Sequence, residues 1–319
     1  MQAVVIKDLC RSYGSRRGIS NVNLTIAEGE IFGFLGPNGS GKSTTIRVLM
    51  GLLRAGSGTA CIFGKDCWND GPMIRRDVGY VAGDVRLYPW LTIRLALSML
   101  SRIRGLTNLR ASGMELVERF RLEPDLPVRK MSRGNRQKVA LLLALAHSPK
   151  LVVLDEPTSG LDPLMQDTLM ACLRELAMKG HTVIISSHTL SEVERLCDHI
   201  AIVRDGRIVE DSTVNLLQAK APRQIVVTLR PDQMIESVKW PNDVTICFLP
   251  GRHDGQVNSK TTTNIAQSNP DRTCVLELIG SSASFIAWAA VQNFADIMIG
   301  PPSLEKLFRP YYKSHQEAV

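Results

Sequence analysis

A glycine-rich segment near the N-terminus has the residue types and spacing of a phosphate-binding loop. Residues 36–44 read Gly-Pro-Asn-Gly-Ser-Gly-Lys-Ser-Thr, which contains the pattern G-x-x-x-x-G-K-S. Glycines let backbone N–H groups turn towards an anion, and a helix that starts at the loop directs its positive end the same way. Lys42 is expected to reach the β- and γ-phosphates of a nucleotide, and the Ser43 hydroxyl to bind Mg²⁺.

A second chemical signal is a pair of acids at the end of an apolar run. Residues 151–156 read Leu-Val-Val-Leu-Asp-Glu, which predicts a buried strand with carboxylates at its C-terminal end. Asp155 is suited to hold Mg²⁺ through water, because Mg²⁺ retains much of its hydration shell. Glu156 is suited to orient an attacking water or accept its proton. Acids at this end of a parallel strand face the crevice in which ligands bind.

The elements that must position these residues alternate between strands and helices. An α/β fold follows, with a mainly parallel sheet that helices cover on both faces. The segment between the glycine loop and Ser132 is interpreted as a mostly helical insertion, concentrated at about 86–135. Predicted strands are 2–9, 30–35, 78–81, 151–154 and 182–186, predicted helices are 42–53, 92–104, 109–122, 135–147 and 163–179, and Asp205-Gly206 indicates a hairpin.

The character of the sequence changes near residue 217. Strands are predicted at 225–229, 244–249 and 275–279, and a helix at 281–294, whereas the polar stretch 251–272 indicates a loop. Two domains are therefore expected, a nucleotide-binding domain at 1–217 and a small α+β domain at 218–319 that ends in a tail helix.

Three further segments resemble motifs of the ABC (ATP-binding cassette) family. Residues 131–138, Met-Ser-Arg-Gly-Asn-Arg-Gln-Lys, are similar to a divergent form of its L-S-G-G-Q signature. Ser159 to Asp162 resembles the D-loop, and Ser186-Ser187-His188 resembles the segment with the switch histidine. Tyr13 lies where the family has an aromatic residue that stacks on adenine. Together with the phosphate loop and the acidic pair, these motifs follow the family's order over about residues 1–215.

The resemblance implies a P-loop NTPase ABC cassette with a parallel sheet core, an antiparallel β-subdomain and a helical insertion. It implies ATP hydrolysis with ATP and Mg²⁺ as cofactors, in which Glu156, His188 and Lys42 are catalytic and His188 donates to the γ-phosphate. The ATP-binding residues would be Tyr13, Gly36, Pro37, Asn38, Gly39, Ser40, Gly41, Lys42, Ser43, Thr44 and Thr45.

Two ATP molecules would then be sandwiched between two chains, in a homodimer or in a pair with a similar cassette. The residues implied to contact the partner's ATP or to line the dimer seam are Ser132, Arg133, Gly134, Asn135 and Asp162.

The sequence departs from the family pattern at the strand near Val81. The family usually has a glutamine there that contacts Mg²⁺ and water, whereas this chain has Gly83 followed by Asp84. Asp84 is a hypothetical replacement as a metal ligand. Arg133 and Asn135 also replace a glycine and a glutamine of the usual signature. Hydrolysis is still expected.

Three further features of the sequence predict a membrane transporter. The segment Pro302 to Phe308, the form of the signature and the Gly83-Asp84 variant resemble ATPase subunits of ABC-2-type exporters. No apolar run approaches the roughly 18 residues of a membrane-spanning helix, so separate transmembrane permease subunits are expected. They would dock on the insertion, with Tyr88, Pro89, Trp90 and Leu91 as candidate contacts. The chain is predicted to be cytoplasmic and peripheral, on the inner face of the cell membrane.

Two other functions remain open from the sequence. The net charge of +7 suits a soluble ABC ATPase that acts on nucleic acid or ribosomes, but such proteins usually have two cassettes or a long coiled-coil insertion. This sequence shows neither feature, so no direct nucleic acid partner is expected. A regulatory module that holds ATP with little turnover is the second alternative, which the missing glutamine favours and which Glu156 and His188 disfavour. The seven cysteines form no C-x-x-C pair and are expected to be reduced.

Overall fold

The structure is a computed structural model that describes residues 1–14, 16–233, 238–241, 244–248, 272–279 and 282–313. The chain divides into two compact units, Met1–Val214 and Asn215–Val319. The predicted domain boundary at residue 217 lies within a helix, Val214–Lys220. Most of the loop predicted at 251–272, and the last residue of the strand predicted at 244–249, lie outside the described residues.

The first unit has ten strands in two sheets. They are β1 Gln2–Tyr13, β2 Arg16–Ala27, β3 Ile31–Leu35, β4 Ser57–Ile62, β5 Lys65–Asp66, β6 Val78–Val81, β7 Leu151–Asp155, β8 Thr182–Ser187, β9 His199–Arg204 and β10 Arg207–Thr213. Six form the central sheet in the order β10-β9-β3-β8-β7-β6. Its pairs are parallel except that of the hairpin β9–β10. Every residue of β3, β7 and β8 is buried, as expected for strands covered on both faces.

The second sheet is antiparallel, with the order β2-β1-β4-β5. Its inner side chains share one core with the central sheet, in which Ile6 and Val22 belong to the same buried cluster as Phe32, Phe34 and Ile46. The interpretation of the whole segment up to Ser132 as mostly helical was wrong for β4 and β5. The reason is that β4 is stabilised by pairing with β1, a partner about fifty residues earlier that local periodicity does not reveal.

Helices connect the strands of the first unit. They are α1 Lys42–Leu49, α2 Gly71–Ile74, α3 Ile93–Arg104, α4 Leu109–Arg119, α5 Arg133–Leu145, α6 Pro163–Met178 and α7 Leu190–Leu196, with a 3-10 turn at Val128–Lys130. Helix α1 ends four residues before the predicted end at residue 53. Gly51 has φ +62°, and a Cβ there would lie 2.4 Å from the Cys67 carbonyl oxygen, so the chain turns where only glycine fits.

The second unit has the helices α8 Val214–Lys220, α9 Ser282–Val291 and α10 Leu304–Lys313. Its strands are β11 Arg223–Thr228, β12 Val244–Phe248, β13 Thr273–Leu278 and β14 Asp296–Pro302, in the order β12-β13-β11-β14. Edge strand β14 was not predicted, because it ends in two prolines that a central strand would not tolerate. Ile225, Leu276 and Phe285 lie in the core of this unit.

Candidate functional site

The glycine loop connects β3 to α1 and has the geometry of an anion site. Gly39 and Gly41 have φ +80° and +113°, in the left-handed region that favours glycine. Helix α1 begins at Lys42 with no side-chain cap and no acidic residue in its first turn. The Ser40 hydroxyl is buried and has no hydrogen-bond partner among the described residues. These unsatisfied donors fit the phosphates of a nucleotide.

Lys42 lies inside this loop and is only 4% exposed. Its Nζ donates to the carbonyl oxygens of Gly36 at 2.6 Å and Pro37 at 3.1 Å, and lies 3.7 Å from Glu156 Oε1. Burial lowers the pKa of Lys42, while the nearby Glu156 and Asp155 act in the opposite direction. An ammonium group held by neutral carbonyls can exchange them for phosphate oxygens, which are the better partners.

The acidic pair ends β7 as predicted. Asp155 is 3% exposed, and its Oδ1 accepts a hydrogen bond of 2.5 Å from Ser186 Oγ. The same hydroxyl oxygen accepts from the Glu156 backbone N–H at 3.0 Å. A single buried serine thus fixes both acidic residues. The sequence indicated Ser186 as part of the segment that resembles the switch-histidine motif, but it did not predict these two hydrogen bonds.

Glu156 joins the two other residues predicted to be catalytic. Its Oε2 lies 2.7 Å from His188 Nδ1, while Oε1 faces Lys42. The backbone of Glu156 has φ +50°, an unfavourable value for a residue with a side chain. Such strain is typical of functional sites. The structure therefore brings Lys42, Asp155, Glu156 and His188 together, although their chemical roles stay predictions.

The residues predicted to act across a dimer also cluster within the chain. Ser132 caps α5, since its Oγ accepts from the Asn135 N–H at 3.2 Å, and Asp162 caps α6 by accepting from the Met165 N–H at 2.9 Å. A Cβ on Gly134 would lie 2.7 Å from the Gly160 carbonyl oxygen, so α5 packs directly on the 157–162 loop. Ser132, Arg133 and Asp162 are exposed and accessible to a partner.

Two predicted site residues, Asp84 and Tyr13, are exposed and contact neighbouring arginines. The Asp84 side chain is 73% exposed and pairs with Arg86 at 2.8 Å. It is Gly83 that lies beside Asp155, because a Cβ there would be 3.4 Å from Asp155 Oδ2. Tyr13 ends β1, is 40% exposed and has the Arg11 guanidinium 5.6 Å from its ring centroid. Metal binding by Asp84 and adenine stacking by Tyr13 stay predictions.

Comparison with known proteins places these motifs in a family. The family model described as ABC transporter matches residues 19–159. The bacitracin transport ATP-binding protein BcrA of Bacillus licheniformis is 38% identical over 207 residues, which are 64% of this chain and 67% of BcrA. The linearmycin resistance ATP-binding protein LnrL of Bacillus subtilis (strain 168) is 29% identical over 319 residues, 97% of this chain and 96% of LnrL.

A solved structure supports the same assignment. The dimeric post-hydrolysis state of the ATP-binding cassette MJ0796, bound to ADP and Pi, matches with a TM-score of 0.60 and 27% identity over 66% of this chain and 98% of that one. The phosphate loop, the acidic pair beside His188 and the signature helix lie on the fold that such cassettes share. The chain therefore belongs to the ABC transporter ATP-binding family, and it is an ATP-binding and ATP-hydrolysing cassette.

Proposed function

We propose that this chain is the motor subunit of an ABC-2-type exporter and works as a nucleotide-sandwich dimer with separate transmembrane subunits. The observation that carries the catalytic part is the position of Glu156 between Lys42 and His188 at the mouth of the phosphate loop. The names of two relatives, which refer to bacitracin transport and linearmycin resistance, support export. LnrL also matches along the C-terminal unit.

The proposed cycle follows from the site residues. The loop 36–45 and Lys42 bind the ATP phosphates. Mg²⁺ would be held by Ser43 and Asp155 together with phosphate oxygens and water, and would neutralise charge on the phosphates. Glu156 orients the attacking water and accepts its proton, while His188 contacts the γ-phosphate.

Dimer closure completes the proposed site. Ser132 and the N-terminal end of α5 from one chain would approach the γ-phosphate bound to the other, since a helix N-terminus attracts anions. Exposure of Ser132, Arg133 and Asp162 in the single chain is consistent with this arrangement. Product release then reopens the dimer and converts binding energy into a rigid-body motion.

The helical insertion carries the surface proposed to receive a membrane subunit. Tyr88 and Trp90 are 69% and 53% exposed, and their rings stack with centroids 5.5 Å apart. A groove of about 430 Å³ lies between α3 and α4 of the same insertion, with apolar walls from Leu95, Leu97 and Met114 and basic residues Arg94 and Arg110. An amphipathic cytoplasmic helix of a permease fits such a groove. Leu91 is 8% exposed and belongs to the core instead.

This assignment places the chain on the cytoplasmic face of the membrane, bound to its permease. Among the described residues, no helix is both long and apolar enough to cross a membrane. The test is co-purification of the tagged chain from detergent-solubilised native membranes, followed by an ATPase assay. A multi-spanning partner with Mg²⁺-dependent hydrolysis is expected. Recovery of a membrane-free protein bound to RNA or DNA would contradict the transporter assignment and support a soluble ABC ATPase.

A further inference from the structure

The loop that follows Glu156 is held from two sides. On one side, the Gln137 Nε2 of α5 donates to the Pro157 carbonyl oxygen at 3.1 Å, and Arg133 donates to Ser159 Oγ at 3.4 Å. On the other side, Glu192 of α7 holds Thr158. The 157–162 loop is therefore a mechanical link between the signature helix and the segment that carries His188.

Glu192 makes this second attachment through one oxygen atom. Its Oε2 accepts from Thr158 Oγ1 at 3.0 Å and from Ser187 Oγ at 2.7 Å. Ser187 is 2% exposed and Thr158 is 8% exposed, so both hydroxyls are shielded from water. The Ser187 oxygen also accepts from the Thr189 N–H at 2.9 Å, which fixes the turn on both sides of His188.

We propose that Glu192 is a positioning residue that couples His188 to the 157–162 loop. Because two buried hydroxyls converge on one carboxylate oxygen, neither segment can move alone without breaking a hydrogen bond to a charged group. The position of His188 then follows the loop that ends at Asp162. Hydrolysis would therefore depend on the position of that loop.

The proposal rests on the roles proposed for Glu156, His188 and Asp162, and it assigns Glu192 no contact with the nucleotide. A purely structural hydrogen bond would instead stabilise the fold without affecting one kinetic constant selectively. The two cases differ in their readouts. If Glu192 acts through His188, removing Glu192 lowers kcat and leaves KM unchanged. The same removal then has no effect in a protein that already lacks His188.

The test uses the purified full chain with MgATP and the variants Glu192→Ala, Thr158→Val, their double variant and Glu192→Ala in a His188→Ala background. We expect kcat to fall about tenfold in each of the two single variants, because each loses a hydrogen bond to a charged acceptor. The double variant should lose no more than Glu192→Ala alone, since the residues act as one unit. KM for ATP and the Kd for ADP should change less than about twofold, because the phosphate loop is untouched.

Two variants serve as controls, and a third is a substitute for Glu192→Ala. Thr158→Ser keeps the hydroxyl and should retain the parent rate, as should Glu115→Ala at an exposed position of α4. Glu192→Gln keeps the shape of the side chain and replaces Glu192→Ala if that variant does not fold; a smaller loss of kcat in the same direction is expected. Three results would each overturn the coupling. The losses of the two single variants could multiply in the double variant, or Glu192→Ala could cause its full loss of kcat in the His188→Ala background as well. The third is a kcat within twofold of the parent in the single variants.

Failure of the coupling can be told apart from failure of the site assignment. Glu156→Gln and His188→Ala are measured in parallel. If both hydrolyse ATP at the parent rate, the assigned site is wrong. If both are strongly impaired while Glu192→Ala is fully active, only the coupling is wrong.

Discussion

Glu156 is the residue on which the proposed chemistry converges. Its two carboxylate oxygens face Lys42 and His188, and its backbone is held by the hydroxyl of Ser186 in a conformation that side chains rarely adopt. Glu156, Lys42 and His188 could be identified as candidates from the sequence, because each belongs to a motif of consecutive residues. The sequence did not predict the supporting roles of Ser186, Thr158 and Glu192, since their hydrogen bonds join positions about thirty residues apart.

A first residue-scale prediction concerns Lys42. The substitution Lys42→Met removes an ammonium group, and burial already lowers the pKa of that group. The free energy of unfolding without nucleotide should therefore change little, because desolvation of the ammonium offsets much of its attraction to Glu156, and Glu156 keeps its contact with His188. The affinity for ATP should fall roughly a hundredfold, as a charge-assisted contact to phosphate is lost. Urea unfolding and equilibrium nucleotide binding measure the two quantities. An unchanged ATP affinity would contradict the assigned contact.

A second residue-scale prediction concerns acid stability. Burial and the nearby Arg104 guanidinium lower the pKa of His147 from 6.5 to about 4. Between these values the unfolded chain binds more protons than the folded one. The contribution of His147 to the free energy of unfolding is therefore complete above pH 6.5 and is lost as the pH falls towards 4. A His147→Gln variant should lose less stability than the parent between pH 7 and pH 4.5 in urea unfolding. Equal losses in the two proteins would show that His147 titrates normally.

At the scale of elements, the arrangement of helices around β7 and β8 decides which residues meet. The fully buried strands were predicted well, because continuous apolar runs leave no alternative face for them. Strand β4 was missed because it is stabilised by β1, a partner distant in sequence, and the two-residue strand β5 pairs with β4. Strand β14 was missed because it ends in two prolines. The close approach of α5 to the 157–162 loop could not be predicted from the sequence either, since a glycine alone does not reveal what it contacts.

This packing leads to a prediction at Gly134. A methyl group added in Gly134→Ala would meet the Gly160 carbonyl oxygen at 2.7 Å, and backbone cannot rotate away as a side chain can. The start of α5 must then shift relative to the loop, and we expect kcat to fall at least about tenfold, with ADP affinity unchanged. In the control Gly113→Ala, the methyl group meets the side chain of Leu97, and activity should be retained. Parent activity in Gly134→Ala would indicate that this contact is not required.

At the scale of the whole molecule, the cassette is expected to act only in an assembly. The exposed, stacked rings of Tyr88 and Trp90 are the clearest candidate for an anchor, as aromatic residues often dominate interfaces. The double variant Tyr88→Ala/Trp90→Ala should reduce recovery of the membrane partner at least fivefold and leave ATP binding intact. Trp68→Ala is the matched control, because Trp68 is 48% exposed and follows β5 of the antiparallel sheet. If the double variant recovers as much of the membrane partner as Trp68→Ala does, the aromatic pair is not an anchor.

The most direct test of the proposed sandwich dimer, with Glu156 as its base, is the oligomeric state of Glu156→Gln, with and without MgATP, measured by light scattering coupled to size exclusion. The amide keeps the shape of the side chain but cannot act as a base, so closed dimers should accumulate before hydrolysis. We expect the mass to double only with MgATP, with one uncleaved ATP retained per chain and kcat reduced at least about a hundredfold. A chain that stays monomeric at saturating MgATP, or that hydrolyses ATP at the parent rate, would contradict the proposed sandwich dimer or the assignment of Glu156 as its base.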